Sequence, residues 1–287
     1  MSIEPGVLYV VATPIGNLED ITLRALQVLA GVDLILAEDT RVSGRLLQRF
    51  AITTPVRAFH EHNERKITSW VIERLEANAS VALISDAGTP LLSDPGFYLT
   101  RLLRAQNKKI VPIPGPSALV CGLSVAGLPT DRFVFEGFLP AKREARRHRL
   151  RELEREYQTL VLYEAPHRVL ATVADLVEIF GRERQAVIAR ELTKTFETIR
   201  SDSLPALEGW LQEDGNHQRG EFVLMVEGRP KTGPGQDQDE VTEEELRTLH
   251  LLLEELSLKK AVALAVRLTG QNKNTLYRLA LQAQDRA

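Results

Sequence analysis

A rhythm of short apolar runs, each ending in a breaker-rich loop and followed by helical spacing, most constrains this chain. VLYVVA (7–12) precedes DITLRALQVLAG (20–31), and VDLILAED (32–39) precedes RVSGRLLQRF. VALIS (81–85) precedes a helical pattern near 93–106, and KIVPIPG (109–115) precedes PSALVCGLSVAG. Apolar runs bounded by Gly, Pro and Asp read as buried strands, and strands alternating with helices imply a mostly parallel sheet covered on both faces.

The rhythm restarts from about residue 132. RFVFEGF, TLVLYEA (159–165), QAVIARELT and GEFVLMVEG read as strands, with helical AKREARRHRLRELEREY and HRVLATVADLVEIFG between them, the latter closed by Gly181. The expected fold class is therefore α/β. An N-terminal α/β domain spans 1–118, a second spans 119–229, a Pro- and Gly-rich linker spans 230–240, and a helical module spans 241–287. In that module Thr242 and Glu245 have capping-box spacing. Leu249, Leu252, Leu253 and Leu256 form an apolar stripe, and a turn at Gly270–Asn274 separates two helices in helix-turn-helix style.

Charge limits the partners. The chain has 287 residues and a formal net charge of −3, so any affinity for a polyanion must come from local patches. Residues 141–156 hold seven Lys/Arg against four Glu, clustered as Lys142, Arg143, Arg146 and Arg147. Beyond the acidic stretch 237–255, the last two helices carry Lys259, Lys260, Lys273 and Arg278. Each basic stretch has a plain reading as a solvated helix face and a second reading as a contact for RNA backbone. The single Cys121 excludes an intramolecular disulfide and reads as a buried structural thiol. His60 and His62 form one H-x-H with no third marked ligand, too little for a metal site. The acidic start MSIEPGVLY does not resemble a signal peptide, and no apolar run reaches 18 residues, so a cytoplasmic protein is expected.

Four strand-end loops carry the candidate chemistry: TPIGNLEDIT (13–22), DAGTPLLSDPG (86–96), PIPGPSAL (112–119) and YEAPHR (163–168). Alternating α/β order puts such loops at one sheet edge, where they can face one cleft. They match neither G-x-G-x-x-G nor G-x-x-x-x-G-K-[ST], and they offer no Lys to a triphosphate. They offer backbone amides and carbonyls, Asp and Ser. That suits a ligand with an amino-acid end, a ribose and an adenine but no phosphates. Asp94 reads as the cap of the following turn.

Taken together, VATPIGNLEDIT, ILAEDTR, SDAGTPLLSDPG, PIPGPSA, LYEAPHR, ARELTKTFE and GEFVL resemble the tetrapyrrole-methylase superfamily, and within it the branch that acts on ribosomal RNA. The resemblance spans about 5–229 and extends to the basic helical tail. It implies S-adenosylmethionine bound in a cleft between two α/β domains of a homodimer. By motif position it assigns Asp86, Ala87, Gly88, Thr89 and Pro90 to the methionine and ribose side. It places Ser117 and Ala118 near the adenosine, and Tyr163, Glu164, Glu221 and Phe222 near the adenine. TPIGN has one Gly where the tetrapyrrole enzymes have several, which leaves room for a different acceptor. The implied reaction is 2′-O-methylation of a cytidine in the decoding region of 16S rRNA, with the small ribosomal subunit as partner. Glu164, His167, Arg168 and Lys194 form the expected acceptor-side group, with no base assigned among them. A tetrapyrrole-type methylase of small molecules and a non-catalytic RNA-binding assembly protein are the alternative readings.

Overall fold

The computed structural model describes residues 2–230 and 243–284, the side chains of 243, 244 and 284 excepted. The chain divides into two compact units, Met1–Arg229 and Pro230–Ala287.

The first unit holds two five-stranded sheets. Its N-terminal sheet is built from β1 (Leu8–Val11), β2 (Leu34–Ala37), β3 (Val56–Ala58), β4 (Val81–Ile84) and β5 (Ile110–Ile113). The order is β3-β2-β4-β1-β5, and every pairing is parallel. Helices α1 (Leu23–Gly31) and α2 (Thr40–Arg49) pack on one face, through Val28, Leu29, Leu46 and Leu47 against Tyr9, Ile35 and Ile84. Helices α3 (Glu64–Glu76) and α4 (Phe97–Ala105) pack on the other, through Val71 and Leu103 against Leu8, Leu36 and Leu83. The all-apolar runs are thus buried on both faces, as a parallel sheet requires.

Residues 133–226 form the second sheet, from β6 (Phe133–Phe138), β7 (Thr159–Glu164), β8 (Gln185–Arg190), β9 (Thr198–Ser203) and β10 (Phe222–Val226), in the order β6-β7-β10-β8-β9. Here only β6–β7 is parallel; the other three pairings are antiparallel. The sequence pattern did not single out β9, whose residues TIRSDS are mostly polar, nor α8 (Leu204–Glu213) after it. Period-two alternation sorts the sheet's side chains. Leu160, Leu162, Ile188 and Leu224 face a core shared with α6 (Arg143–Leu153), α7 (Val169–Phe180) and α8. Val161, Val187, Val223 and Met225 face α5 (Ala118–Ala126). The helix that follows the last strand of the first sheet therefore covers a face of the second. Cys121, on α5, is half-buried rather than enclosed.

The second unit contains α9 (Glu243–Glu255), α10 (Leu258–Thr269) and α11 (Lys273–Gln284), packed through Leu249, Val262, Ala265, Leu276 and Ala280. Gly270 ends α10 in the left-handed conformation and α11 starts at Lys273, so the expected turn is present but shorter than 270–274. The expected linker and Thr242 lie outside the described residues. No helix among the described residues is long and apolar enough to cross a membrane.

Candidate active site

The topology of the first sheet dictates where a ligand can enter. Strand β4 lies between β2 and β1. The helix after β4 packs on one face of the sheet, and those after β2 and β1 pack on the other. Chain leaving neighbouring strands in opposite directions opens a crevice at their carboxyl ends. Here β4 has such a crevice on each side, and its loop is the stretch that begins SDAGTP.

A cleft of about 390 Å³ occupies this place. Ile15 from the loop after β1, Glu38 from that after β2, and Asp86–Thr89 with Leu92–Asp94 from that after β4 line it. The second sheet contributes Phe138, Tyr163–Pro166, Ala189, Leu192 and Glu221–Val223, and the start of α5 gives Ser117 and Ala118. The four loops singled out in the sequence do meet at one cleft, but from two sheets rather than one edge.

Short bonds hold the loops together. Thr13 and Gly88 exchange backbone hydrogen bonds of 2.8 and 3.0 Å. Gly88 sits there at φ 83°, a conformation that side chains disfavour, and a Cβ would press within 3.3 Å of Ile15. Thr89 donates through Oγ1 to the Pro116 carbonyl at 3.1 Å. Leu119 donates its N–H to the Tyr163 hydroxyl at 3.1 Å, which fixes the aromatic of β7 against α5. The loop from the first sheet also reaches the second: Ser93 abuts Gly137, where a Cβ would lie 2.8 Å from its Oγ. Leu91 and Ser93 both take positive φ, at 74° and 71°, in a segment that is held in shape on both sides.

Five acidic residues line this cleft. Glu164 and Glu221 have cationic partners in Arg168 and Lys194, whereas Glu38, Asp86 and Asp94 have none among the described residues. Burial raises the Glu38 pKa, and the charges of Asp94 and Asp86 add to it. Burial likewise raises that of Asp86, against the hydrogen bond from the Asp39 N–H, while the Asp39 charge adds to the rise. Burial pushes Asp94 up to about 6, where a hydrogen bond from Ser85 opposes the rise and Asp86 adds to it. Carboxylates held apart from water without a cation favour a positively charged ligand. The Ser117 Oγ is buried there without a hydrogen-bond partner among the described residues. Ile15, Ala189, Leu192, Phe222 and Val223 make up an apolar part of the lining.

The expected cofactor residues fall as follows. Asp86, Ala87, Gly88, Thr89, Ser117, Ala118, Tyr163, Glu164, Glu221 and Phe222 all line the cleft, whereas Pro90 is buried behind it. Asp94 does not cap the next helix. Gly96 occupies that N-cap, and the Glu64 carboxylate accepts from the N–H groups of Tyr98 and Leu99 at 3.0 and 3.3 Å. Glu38 and Asp94 are the acidic lining residues that the sequence reading left out. ILAED carried a signal for Glu38, an acid at the end of an apolar strand, just as in VALISD.

The acceptor-side group divides. The Glu164 carboxylate is buried, accepts from Thr172 Oγ1 at 2.6 Å, and lies 3.1 Å from Arg168 Nε. Arg168 also donates to the Leu139 carbonyl at 2.7 Å, so this pair joins the turn after β7 to the end of β6 and is off the cleft wall on the arginine side. His167 is exposed on the same turn. Lys194 is held between Glu191 at 2.8 Å and Glu221 at 2.9 Å. Burial opposes its charge, but the bonds to those carboxylates outweigh burial and raise its pKa. His60 and His62 lie in the loop after β3, with ring centroids 6.0 Å apart, and His60 Nε2 is 3.0 Å from Asn63 Nδ2.

The basic stretch on α6 divides too. Arg146 is buried and reaches Asp175 of α7 at 2.6 Å. Arg147 pairs with Glu178 on the same helix. Lys142 and Arg143 remain exposed, Arg143 with one contact to Asp175 at 3.3 Å. Lys259, Lys260, Lys273 and Arg278 are exposed on the second unit.

Residues 7–208 match the family described as Tetrapyrrole (Corrin/Porphyrin) Methylases, and residues 239–284 match the RsmI C-terminal HTH domain. The chain is 56% identical over 282 residues to the Ribosomal RNA small subunit methyltransferase I of Pseudomonas aeruginosa, covering 98% of this chain and 99% of the relative. The protein of that name from Escherichia coli O157:H7 is 50% identical, covering 97% and 96%. A crystal structure of uroporphyrin-III-C-methyltransferase from Thermus thermophilus is similar in fold, with a TM-score of 0.53 at 21% identity over 77% of this chain and 94% of that one. Matched along nearly its whole length, and with the cleft where the fold predicts it, the chain belongs to the ribosomal RNA small subunit methyltransferase I family of tetrapyrrole methylases.

Proposed function

We propose that this protein transfers a methyl group from S-adenosylmethionine to the ribose 2′-hydroxyl of a cytidine in the decoding region of 16S rRNA, in the cytoplasm, on the small ribosomal subunit. The observation that carries the reading is the cleft at the β4 loop, whose lining holds no cation and five acidic residues, three of them, Glu38, Asp86 and Asp94, without a cationic partner among the described residues. The cofactor, when bound, supplies the methyl group and its own leaving group. Its ammonium and sulfonium are the charges that Glu38, Asp86 and Asp94 suit. Ser117 Oγ offers an unused hydroxyl for a sugar oxygen, and the wall around Phe222 and Val223 suits an adenine.

On the acceptor side, the chain's task is to hold a ribose in line and assist loss of its proton. His167 is exposed beside the cleft-lining Pro166 and is free to meet RNA. Glu164 and Arg168 position that turn, and Lys194 places a cation beside Glu221 at the rim. Phe138 is 54% exposed, lines the cleft and lies 5.7 Å from Tyr163, which makes it a platform for an unstacked base. Lys142 and Arg143, with Lys259, Lys260, Lys273 and Arg278, are the proposed contacts to RNA backbone.

A homodimer fits one further feature. Helix α5 is apolar almost throughout, yet Val120 and Val125 are 63% and 46% exposed, and Phe196 nearby in sequence to β9 is 72% exposed. An all-apolar helix is normally covered.

The test is nucleoside mass spectrometry of 16S rRNA from cells lacking the gene, with purified protein added to the unmethylated small subunit. The expected result is loss of one 2′-O-methylcytidine and its restoration by the protein with S-adenosylmethionine. An unchanged 2′-O-methylcytidine content would overturn the reading, and turnover of a porphyrinoid without RNA methylation would replace it with a small-molecule activity.

A further inference from the structure

Residues 40–74 hold seven Lys/Arg against three Glu, a local excess of positive charge in a chain whose net charge is −3. Arg41, Arg45 and Arg49 recur at four-residue spacing along α2, all exposed, opposite the buried Ser43, Leu46 and Leu47. The stripe starts three residues after the cleft-lining Glu38 and, at about 1.5 Å per residue, runs about 12 Å away from the cleft mouth. Arg41 is bonded to Asp39 at 2.8 Å; Arg45 and Arg49 have no carboxylate partner among the described residues.

The stripe borders a shallow depression of about 450 Å³ between α2 and the edge strand β3, lined by Gly44, Gln48, Thr53 and Thr54 among others. Gly44 lies in the middle of α2, where glycine costs a helix about 1 kcal/mol relative to alanine. No packing explains it, because a Cβ there would meet nothing within 4 Å. Its effect is to leave the depression open. On β3 itself, the exposed Arg57 stacks at 3.9 Å over Trp70, which orients its guanidinium.

We infer that this edge of the first sheet, centred on Arg45, Arg49 and Gly44, is a docking surface for the phosphodiester backbone of the RNA that enters the cleft. The inference rests on the RNA-methylating reading above. A cleft lined by five acidic residues and no cation repels phosphates, so a strand that delivers a ribose there needs cations just outside. Arginines match phosphate in bidentate geometry. Arg45 and Arg49 lie about 6 Å apart along the helix, enough to meet two phosphates, since a nucleic-acid strand carries one charge per about 3.4 Å of axis in a duplex. The open floor at Gly44 lets a backbone approach closely.

The experiment measures binding of a labelled 16S rRNA fragment containing the decoding region by anisotropy over a salt series. Cofactor affinity by calorimetry and thermal stability are followed in parallel. The variant Arg45→Glu/Arg49→Glu is expected to weaken RNA binding at least about tenfold and to reduce the slope of log affinity against log salt by about 0.7–0.9 per lost contact. Arg45→Lys/Arg49→Lys should retain most of the affinity. Gly44→Gln fills the depression while favouring the helix, and should weaken RNA binding with unchanged or raised stability. RNA affinity and salt slope unchanged in both the Glu double variant and Gly44→Gln would overturn the surface, while wild-type methylation in the same samples would leave the functional reading intact. If the wild-type protein neither bound nor methylated the RNA, the functional reading would fail and the surface with it.

Discussion

Asp86 accepts a 2.9 Å hydrogen bond from the backbone N–H of Asp39, so the loops after β4 and β2 are joined at the point where the cleft begins. The bond orients one carboxylate oxygen and leaves the other to the cleft. Replacing Asp86 by alanine removes the tie and, on the function proposed above, a charge set against the cofactor. Hydrogen bonds to charged groups contribute about 1.5–3 kcal/mol, so Asp86→Ala should raise the calorimetric Kd for S-adenosylmethionine by about ten- to hundred-fold. RNA binding should stay near the wild-type value; equal loss of both would remove Asp86 from the cofactor site.

Asp94, with its pKa near 6, should make cofactor binding depend on pH if the cleft takes the cationic cofactor proposed above. A cation favours the ionised carboxylate, so binding releases a proton wherever free Asp94 is protonated. Affinity should therefore rise with pH up to about 6 and level off above it. Calorimetry in buffers of different ionisation enthalpy should show proton release near pH 6 in the wild type, and much less in Asp94→Asn. Stability has the opposite sign. The folded protein binds this proton more tightly than the unfolded chain, so the contribution of Asp94 to stability falls as pH rises from about 4 to 6. Asp94→Asn should consequently gain melting temperature over wild type across that range and hold the gain above it. A gap that shrank with rising pH would contradict the assignment.

Gly16 carries no side chain because there is no room for one. A Cβ would lie 2.4 Å from Lys194 Cγ and 2.9 Å from the Leu192 carbonyl oxygen. The neighbouring Asn17 N–H donates to Thr193 Oγ1 at 3.1 Å. Gly16→Ala should push the loop after β1 away from residues 192–194. Overpacking of this kind costs about 1–3 kcal/mol, to be read by chemical denaturation. Cofactor affinity should fall as well, because Ile15 and Leu192 both line the cleft.

Arg146 and Lys142 are four residues apart on one basic stretch and should behave differently. Arg146→Ala strands the buried Asp175 without its main partner, a loss of about 3–5 kcal/mol in unfolding experiments. Lys142→Glu/Arg143→Glu should leave stability nearly unchanged and weaken RNA binding, with a smaller salt slope. Comparable stability losses in the two variants would refute the division.

The sequence shows which charges exist but not which are already neutralised, and α6 illustrates the limit. KREARRHR reads as one patch, yet Arg146 and Arg147 turn toward acids on α7, some thirty residues away. The same limit explains Glu38 and Asp94. Each stood in a motif that was legible, ILAED and SDPG. Their meeting depends on β4 inserting between β2 and β1, a long-range pairing with no local signature. The polar strand β9 escaped notice for a related reason: at the edge of a mixed sheet it buries little, so its alternation carries little hydrophobic contrast.

What the sequence determined by itself was the succession of buried strands and helices, the four loops that punctuate it, and through their motifs the family. These depend on local periodicity and on Gly, Pro and Asp acting within a few residues. The tertiary structure decided the rest. It made the second sheet mixed rather than parallel, since β7, β10 and β8 pair in alternating directions. It gathered Glu38, Asp86 and Asp94 from two loops of the first sheet into one cleft with Glu164 and Glu221 of the second, and separated free arginines from bonded ones. Pairing and burial join residues far apart in the chain, and the free energy of a charge depends on the neighbours they bring.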